Sequence, residues 1–185
     1  GALLLILLGS AWALALSQGR GRLREIEERL RRQREGELRH RLAIDAASAA
    51  VLDLDLATGD KVVNDQWYHQ LGYAPGEVAP TEARWQSHVA ADDLPGINQA
   101  FAACVQGRVA RFDCQYRVLT QTGARRWHHA IGLVLNKADG GGPGARRLIG
   151  LTLDITDRIE AQQRIEEALH LLRLAQEVAD IGIWS

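Results

Sequence analysis

Histidine and cysteine are the residues here best suited to nucleophilic, proton-transfer or metal chemistry, and their spacing decides what chemistry is open. His40, His69, His88, His128, His129 and His170 have no Asp or Glu beside them in a phosphoacceptor pattern. None recurs with cysteine at the separations a zinc site needs. Cys104 and Cys114 are too few for a disulfide scaffold, lie at no metal-type spacing and suit core burial. The glycine-rich stretch Gly140-Gly141-Gly142-Pro143-Gly144 lacks the Lys-Ser/Thr of a phosphate loop, and no helix follows it. It reads as a flexible hairpin connection. No catalytic set and no metal site is expected, so the chemistry to look for is binding and transmission.

The elements that carry such a role differ sharply in composition along the 185 residues. Twenty-two Lys and Arg balance 23 Asp and Glu for a net charge of −1, which is not the footprint of a nucleic-acid binder. With 46% hydrophobic residues the chain can bury a core. Residues 1–19 hold no charged side chain, whereas residues 20–42 hold nine Arg and five Glu. An apolar run close to the ~20 residues that span a bilayer, followed by arginines, predicts a truncated transmembrane helix at 1–19. The positive-inside bias then places the rest on the cytoplasmic side of the inner membrane. A signal-peptide core would carry its basic residues in front instead. No methionine occurs anywhere, position 1 included, which raises the expectation of an internal segment of a longer receptor.

Residues 20–45 predict one polar juxtamembrane helix. Leu23, Ile26 and Leu30 form a narrow stripe that Leu38 and Leu42 resume after Gly36. Glu25 with Arg29, Glu27 with Arg31 and Glu28 with Arg32 stand at i,i+4 in the favourable order. The stripe suits a two-stranded coiled coil, and a solvated helix is the alternative.

The globular signal covers 46–156. Val51–Leu56 alternates apolar and acidic residues, and Lys61–Asn64 reads as its hairpin partner across Ala57-Thr58-Gly59-Asp60. Asp65 is expected to cap a helix over Gln66–Leu71, Thr81 one over Glu82–Val89, and Asp92-Asp93 one over Leu94–Val105. Three strands follow. Phe112, Cys114, Tyr116 and Val118 share a face of the first; Trp127, His129, Ile131, Leu133 and Leu135 alternate in the second. Ile149, Leu151 and Leu153 share a face of the third. The order predicts an α+β fold: a five-stranded antiparallel sheet with short helices on one face, flanked by long N- and C-terminal helices. Residues 157–179 predict a linker helix, with Ala161, Ile165, Ala168, Leu169, Leu172 and Ala175 on one stripe suited to pairing in a homodimer.

Several pieces, in order and at the right spacing, resemble a PAS domain. They are Asn64, Leu71-Gly72-Tyr73, Pro75-Gly76-Glu77-Val78 and Ala91-Asp92-Asp93-Leu94-Pro95. Tyr116-Arg117-Val118, Gly123 with Arg126-Trp127, and Gly150 through Asp154-Ile155-Thr156-Asp157-Arg158 complete the set. The subtype is similar to the PAS fold-3 class of bacterial sensor kinases and cyclic-dinucleotide enzymes. One departure is that Ala90 and Ala91 stand where the family often has His-Pro. Residues 180–185 resemble the opening of a second PAS domain.

The resemblance implies a signal-transduction input module of a membrane-anchored receptor. Its linker helix would pass a cue to an output domain in the same chain, in the first place a histidine kinase of a two-component system. A diguanylate cyclase or phosphodiesterase output, or a PAS dimerisation module without ligand, stays open. The resemblance also implies that the Asp154-Ile155-Thr156 junction couples sheet to helix, with Arg125 or Arg126 as the partner of Asp154. Trp85, Phe101, Phe112, Tyr116 and Trp127 are expected to line a small cavity or simply fill the core. No haem or flavin is expected: His88 is the only candidate haem ligand, and the cysteines lack the flanks of flavin-binding light sensors. A visible absorbance scan discriminates.

Overall fold

The computed structural model describes residues 25–136 and 146–182, with side chains to residue 177. The transmembrane expectation at 1–19, the glycine-rich connection and Ile183–Ser185 lie outside the described residues. No helix among the described residues is long and apolar enough to cross a membrane. Two compact units divide near residue 46.

The first unit contributes one helix, α1, over residues 25–46, and nearly all of its side chains are exposed. Arg32 pairs with Glu28 as expected, at 3.3 Å. Arg31 turns forward to Glu35 at 2.8 Å rather than back to Glu27. Both i±4 carboxylates are within reach of a long guanidinium, so spacing alone does not select one.

The second unit is a sheet with helices on one face. Its elements run β1 (Ala50–Asp55), β2 (Lys61–Val63), α2 (Asp65–Leu71), α3 (Glu82–Gln86), α4 (Leu94–Val105), β3 (Phe112–Leu119), β4 (Arg125–Asn136), β5 (Arg146–Asp154) and α5 (Thr156–Gly182). The strand order is β2-β1-β5-β4-β3, antiparallel throughout. The chain's last strand therefore lies at the centre, between its first and its fourth.

Alternation sorts the strands onto two faces. Phe112, Tyr116 and Val118 of β3 are buried against Trp67 and Leu71 of α2 and Ile97 and Cys104 of α4. In β4 the buried positions are His128, Ala130 and Gly132, so Trp127, His129, Ile131, Leu133 and Leu135 occupy the other face. Ile149 and Leu151 of β5 join them there, while Leu148 is buried inside. The larger apolar set of these two strands thus belongs to the open face. Its alternation is legible in the sequence, but its direction is not.

Gly132 of β4 stands opposite Gly150 of β5. A Cβ built on Gly150 would meet the Ile131 carbonyl oxygen at 2.9 Å, so the strands come together only over a residue without a side chain.

The helix starts differ from the sequence expectation in instructive ways. Asp65 is the first residue of α2, and the cap position belongs to Asn64. The Asn64 side chain makes no cap bond; its Oδ1 accepts from Val51 N and its Nδ2 donates to Ala49 O, each at 2.9 Å. It pins the entry of β1 beside α2. Gly72 ends α2 at φ 88°, a left-handed conformation that glycine adopts without penalty. Thr81 caps α3 by accepting from Arg84 N at 3.2 Å, but the helix stops at Gln86 because Val89 bridges to Val118 of β3.

Asp93 precedes α4 without capping it. Its carboxylate accepts from Arg117 N at 2.8 Å, Nε at 3.0 Å and Nη2 at 2.6 Å. That hydrogen bonding holds the Asp93 carboxyl below the usual carboxylate range. Asp93→Ala is expected to cost about 1–2 kcal/mol, because a charge-assisted fork is lost at a partly exposed site. Urea unfolding would register it, whereas Asp92→Ala should change little.

Candidate functional site

Between the inner face of the sheet and α2–α4 lies a cavity of about 410 Å³. Four of the five residues expected in its wall are there: Trp85, Phe101, Phe112 and Tyr116. The fifth, Trp127, is not. It has the opposite parity to His128 on β4 and lies about 5.9 Å beneath the Arg117 guanidinium on the outer face.

The aromatic lining is ordered by edge-to-face contacts. Trp85 meets Tyr116 at 5.7 Å between ring centroids, and Phe101 meets Phe112 at 6.4 Å. Trp85 Nε1 donates to the Tyr116 hydroxyl at 3.4 Å. Burial pushes the Tyr116 phenol up to about 12, so it remains a neutral hydroxyl. Where the wall reaches solvent, Lys61 Nζ bonds Glu82 Oε2 at 2.8 Å, and the pair cancels its own charge.

His128 was not among the residues the sequence singled out for this wall, yet it lines the cavity and is 2% exposed. Its ring stands 5.8 Å from that of Tyr116. Burial pushes its pKa down to about 4, so the imidazole is neutral at physiological pH. The signal that could have found it was its inward parity with Ala130, masked by the adjacent His129. That residue sits on the outer face, 2.8 Å from Asp113 Oδ1.

His88 and the two cysteines are occupied or inert. His88 Nε2 lies 3.0 Å from the Tyr73 hydroxyl and Nδ1 2.6 Å from Leu119 O, so both ring nitrogens are engaged. Cys104 is buried, and burial pushes the half-buried Cys114 thiol up to about 11, which keeps it protonated.

A second feature adjoins the cavity through the sheet, at the start of α5. Thr156 N donates to Asp154 Oδ1 at 2.9 Å, and the Thr156 hydroxyl donates to the same oxygen. Thr156 Oγ1 in turn accepts from Trp127 N at 2.9 Å, and Ile155 N donates to Trp127 O at 2.8 Å. Arg126 Nη1 stands 3.7 Å from Asp154 Oδ2. Arg125 faces Leu119 across the β3–β4 pair, and among the described residues it is Arg126 that stands beside that carboxylate. Asp154 is itself opposite His128 in the register. The first turn of α5 is therefore tied to β4 at positions one residue away from the cavity wall.

Residues 61–145 match the family model described as PAS fold. A sensory box histidine kinase/response regulator from Burkholderia thailandensis superposes with a TM-score of 0.59 at 28% identity, over 73% of this chain and 98% of that one. The N-terminal domain of a diguanylate cyclase with PAS/PAC sensor from Marinobacter aquaeolei gives a TM-score of 0.50 at 20% identity, over 60% of this chain and 97% of that one. That second likeness shows the fold alone. The "Non-motile and phage-resistance protein" of Caulobacter vibrioides is 34% identical over 147 residues, which cover 77% of this chain. Those residues span only 17% of that relative. The globular unit is an α+β domain with the PAS fold, and the PAS family match lies within it.

Proposed function

We propose that this PAS domain is the input module of a membrane-anchored, homodimeric receptor and relays a cue through α5 to an output domain in the same chain. The observation that carries the reading is the Asp154–Thr156–Trp127 junction. It joins the cavity-lining strand β4 to the start of α5 by two short hydrogen bonds at Trp127, and a third from Thr156 N to Asp154 ties that turn to the end of β5.

The output in this reading is a histidine kinase, as in the similar Burkholderia protein, with no catalytic residue in the present segment. Anchoring in the inner membrane rests on the uncharged residues 1–19 and the arginines that follow. Pairing rests on the exposed leucines of α5: Leu169, Leu171, Leu172 and Leu174 are unburied in a single chain and suit a helical partner.

Asp154→Ala in the full-length protein tests the relay. Loss of this cap costs roughly 1 kcal/mol, too little to unfold the domain. Output is expected to become independent of the cue while the melting temperature falls by only a few degrees. Normal regulation in that variant contradicts the proposal.

A further inference from the structure

His128 Nε2 is the one buried side-chain nitrogen or oxygen without a hydrogen-bond partner among the described residues. Buried polar groups in folded proteins are nearly always satisfied, and one that is not needs a reason. Here the residue lines a mainly apolar cavity, open to solvent at one side, whose volume suits a small organic molecule. Its neighbours are specific as well. Tyr116 is engaged by Trp85, Gln70 Nε2 donates to both Ser48 O and Thr152 O, and Lys61 is held by Glu82. Among the buried polar groups of the wall, the imidazole is the one left without a partner.

We infer that the cavity binds a neutral, predominantly aromatic or aliphatic small molecule carrying one hydroxyl group, and that this hydroxyl hydrogen-bonds His128 Nε2. The chemistry follows from what the wall offers. Aromatic edges from Trp85, Phe101 and Phe112 favour an apolar body of up to about two fused rings. No free charge faces the interior among the described residues, so an anion or cation would enter without a counter-ion and lose its hydration. A hydroxyl both donates and accepts, and so satisfies either tautomer of the neutral imidazole. An apolar ligand without it would leave the buried imidazole nitrogen unpartnered.

The inference rests on the reading of this domain as a cue-responsive input module, but its test does not involve output. Equilibrium dialysis of the full 185-residue chain against 2-naphthol and against naphthalene compares two bodies of one shape, with and without the hydroxyl. The wild-type chain is expected to bind naphthol roughly five- to tenfold more tightly than naphthalene. The preference should collapse to near unity in His128→Leu and return in part in His128→Gln, which restores a hydrogen-bonding group. Equal binding of the two by the wild-type chain, binding of neither, or a preference that survives His128→Leu overturns the inference. Should His128→Leu not fold, the wild-type ratio and the glutamine variant decide. A failed relay shows instead as Asp154→Ala with normal regulation, a result that leaves these affinities unchanged.

Discussion

Acidification from neutral pH to pH 4 is expected to remove about 3 kcal/mol of stability through His128 alone. Burial depresses the imidazole from an ordinary 6.5 to about 4, with the Asp154 charge opposing and the Arg126 charge adding to the shift. Above 6.5 the residue is neutral in both the folded and the unfolded chain and contributes no pH dependence. Between 6.5 and 4 the unfolded chain takes up a proton that the folded one refuses, so stability falls as the pH falls. Below about 4 both states are protonated and the loss is complete. Asp93 also has a depressed pKa, and its contribution disappears only at more acid pH than that of an ordinary carboxylate. Urea midpoints measured across this range on the wild-type chain and on His128→Leu separate the two effects. The variant should lack the steep limb between pH 6.5 and 4; equal slopes would show that His128 is not the group responsible.

Gly150→Ala is expected to destabilise the domain by about 2 kcal/mol, even though alanine is the better residue in an unstrained strand. The added methyl would sit 2.9 Å from the Ile131 carbonyl oxygen and 3.4 Å from Gly132 Cα, and both atoms are backbone. Neither can move without opening the β4–β5 pair at the centre of the sheet. The facing substitution Gly132→Ala should cost less. Its nearest neighbour is the Leu148 Cδ2 methyl at 3.3 Å, the end of a flexible side chain. Thermal melts of the two variants should therefore differ by several degrees, with Gly150→Ala the lower. The reverse order would contradict the account of this close approach.

Local signals carried the element list. The Thr58-Gly59 turn, the breaks at Pro75-Gly76 and Gly123, and the inward parity of Phe112, Tyr116 and Val118 were all legible in the sequence, and they predict the PAS architecture. What was not legible depends on partners far away in the chain. Asp93 looks like a helix cap, but Arg117 stands 24 residues on and offers three donors, a stronger claim than one backbone N–H. Asn64 likewise gives its amide to β1 rather than to its own helix. In β4 both parities carry apolar residues, and alternation cannot say which set faces the core. The larger Trp127 therefore suggests an inward position but lies outside, while His128, which nothing in the alternation marks, lies inside. Of the residues expected at the signal-coupling junction, Asp154, Thr156 and Arg126 come together at the start of α5, whereas Arg125 pairs with Leu119 of β3.

The central claim is that the cavity and the start of α5 are mechanically joined through β4. Ala130 is buried, lines the cavity and lies two residues from His128, so Ala130→Leu fills part of that space with no ligand required. Amide hydrogen exchange at Ile155 to Ile159 is the readout, because these groups close the first turn of α5. The account expects Ala130→Leu to change their protection severalfold, and expects no such change when Ala130→Leu is made in an Asp154→Ala background. Unaltered protection in the single variant, or an equal change in both backgrounds, would contradict it.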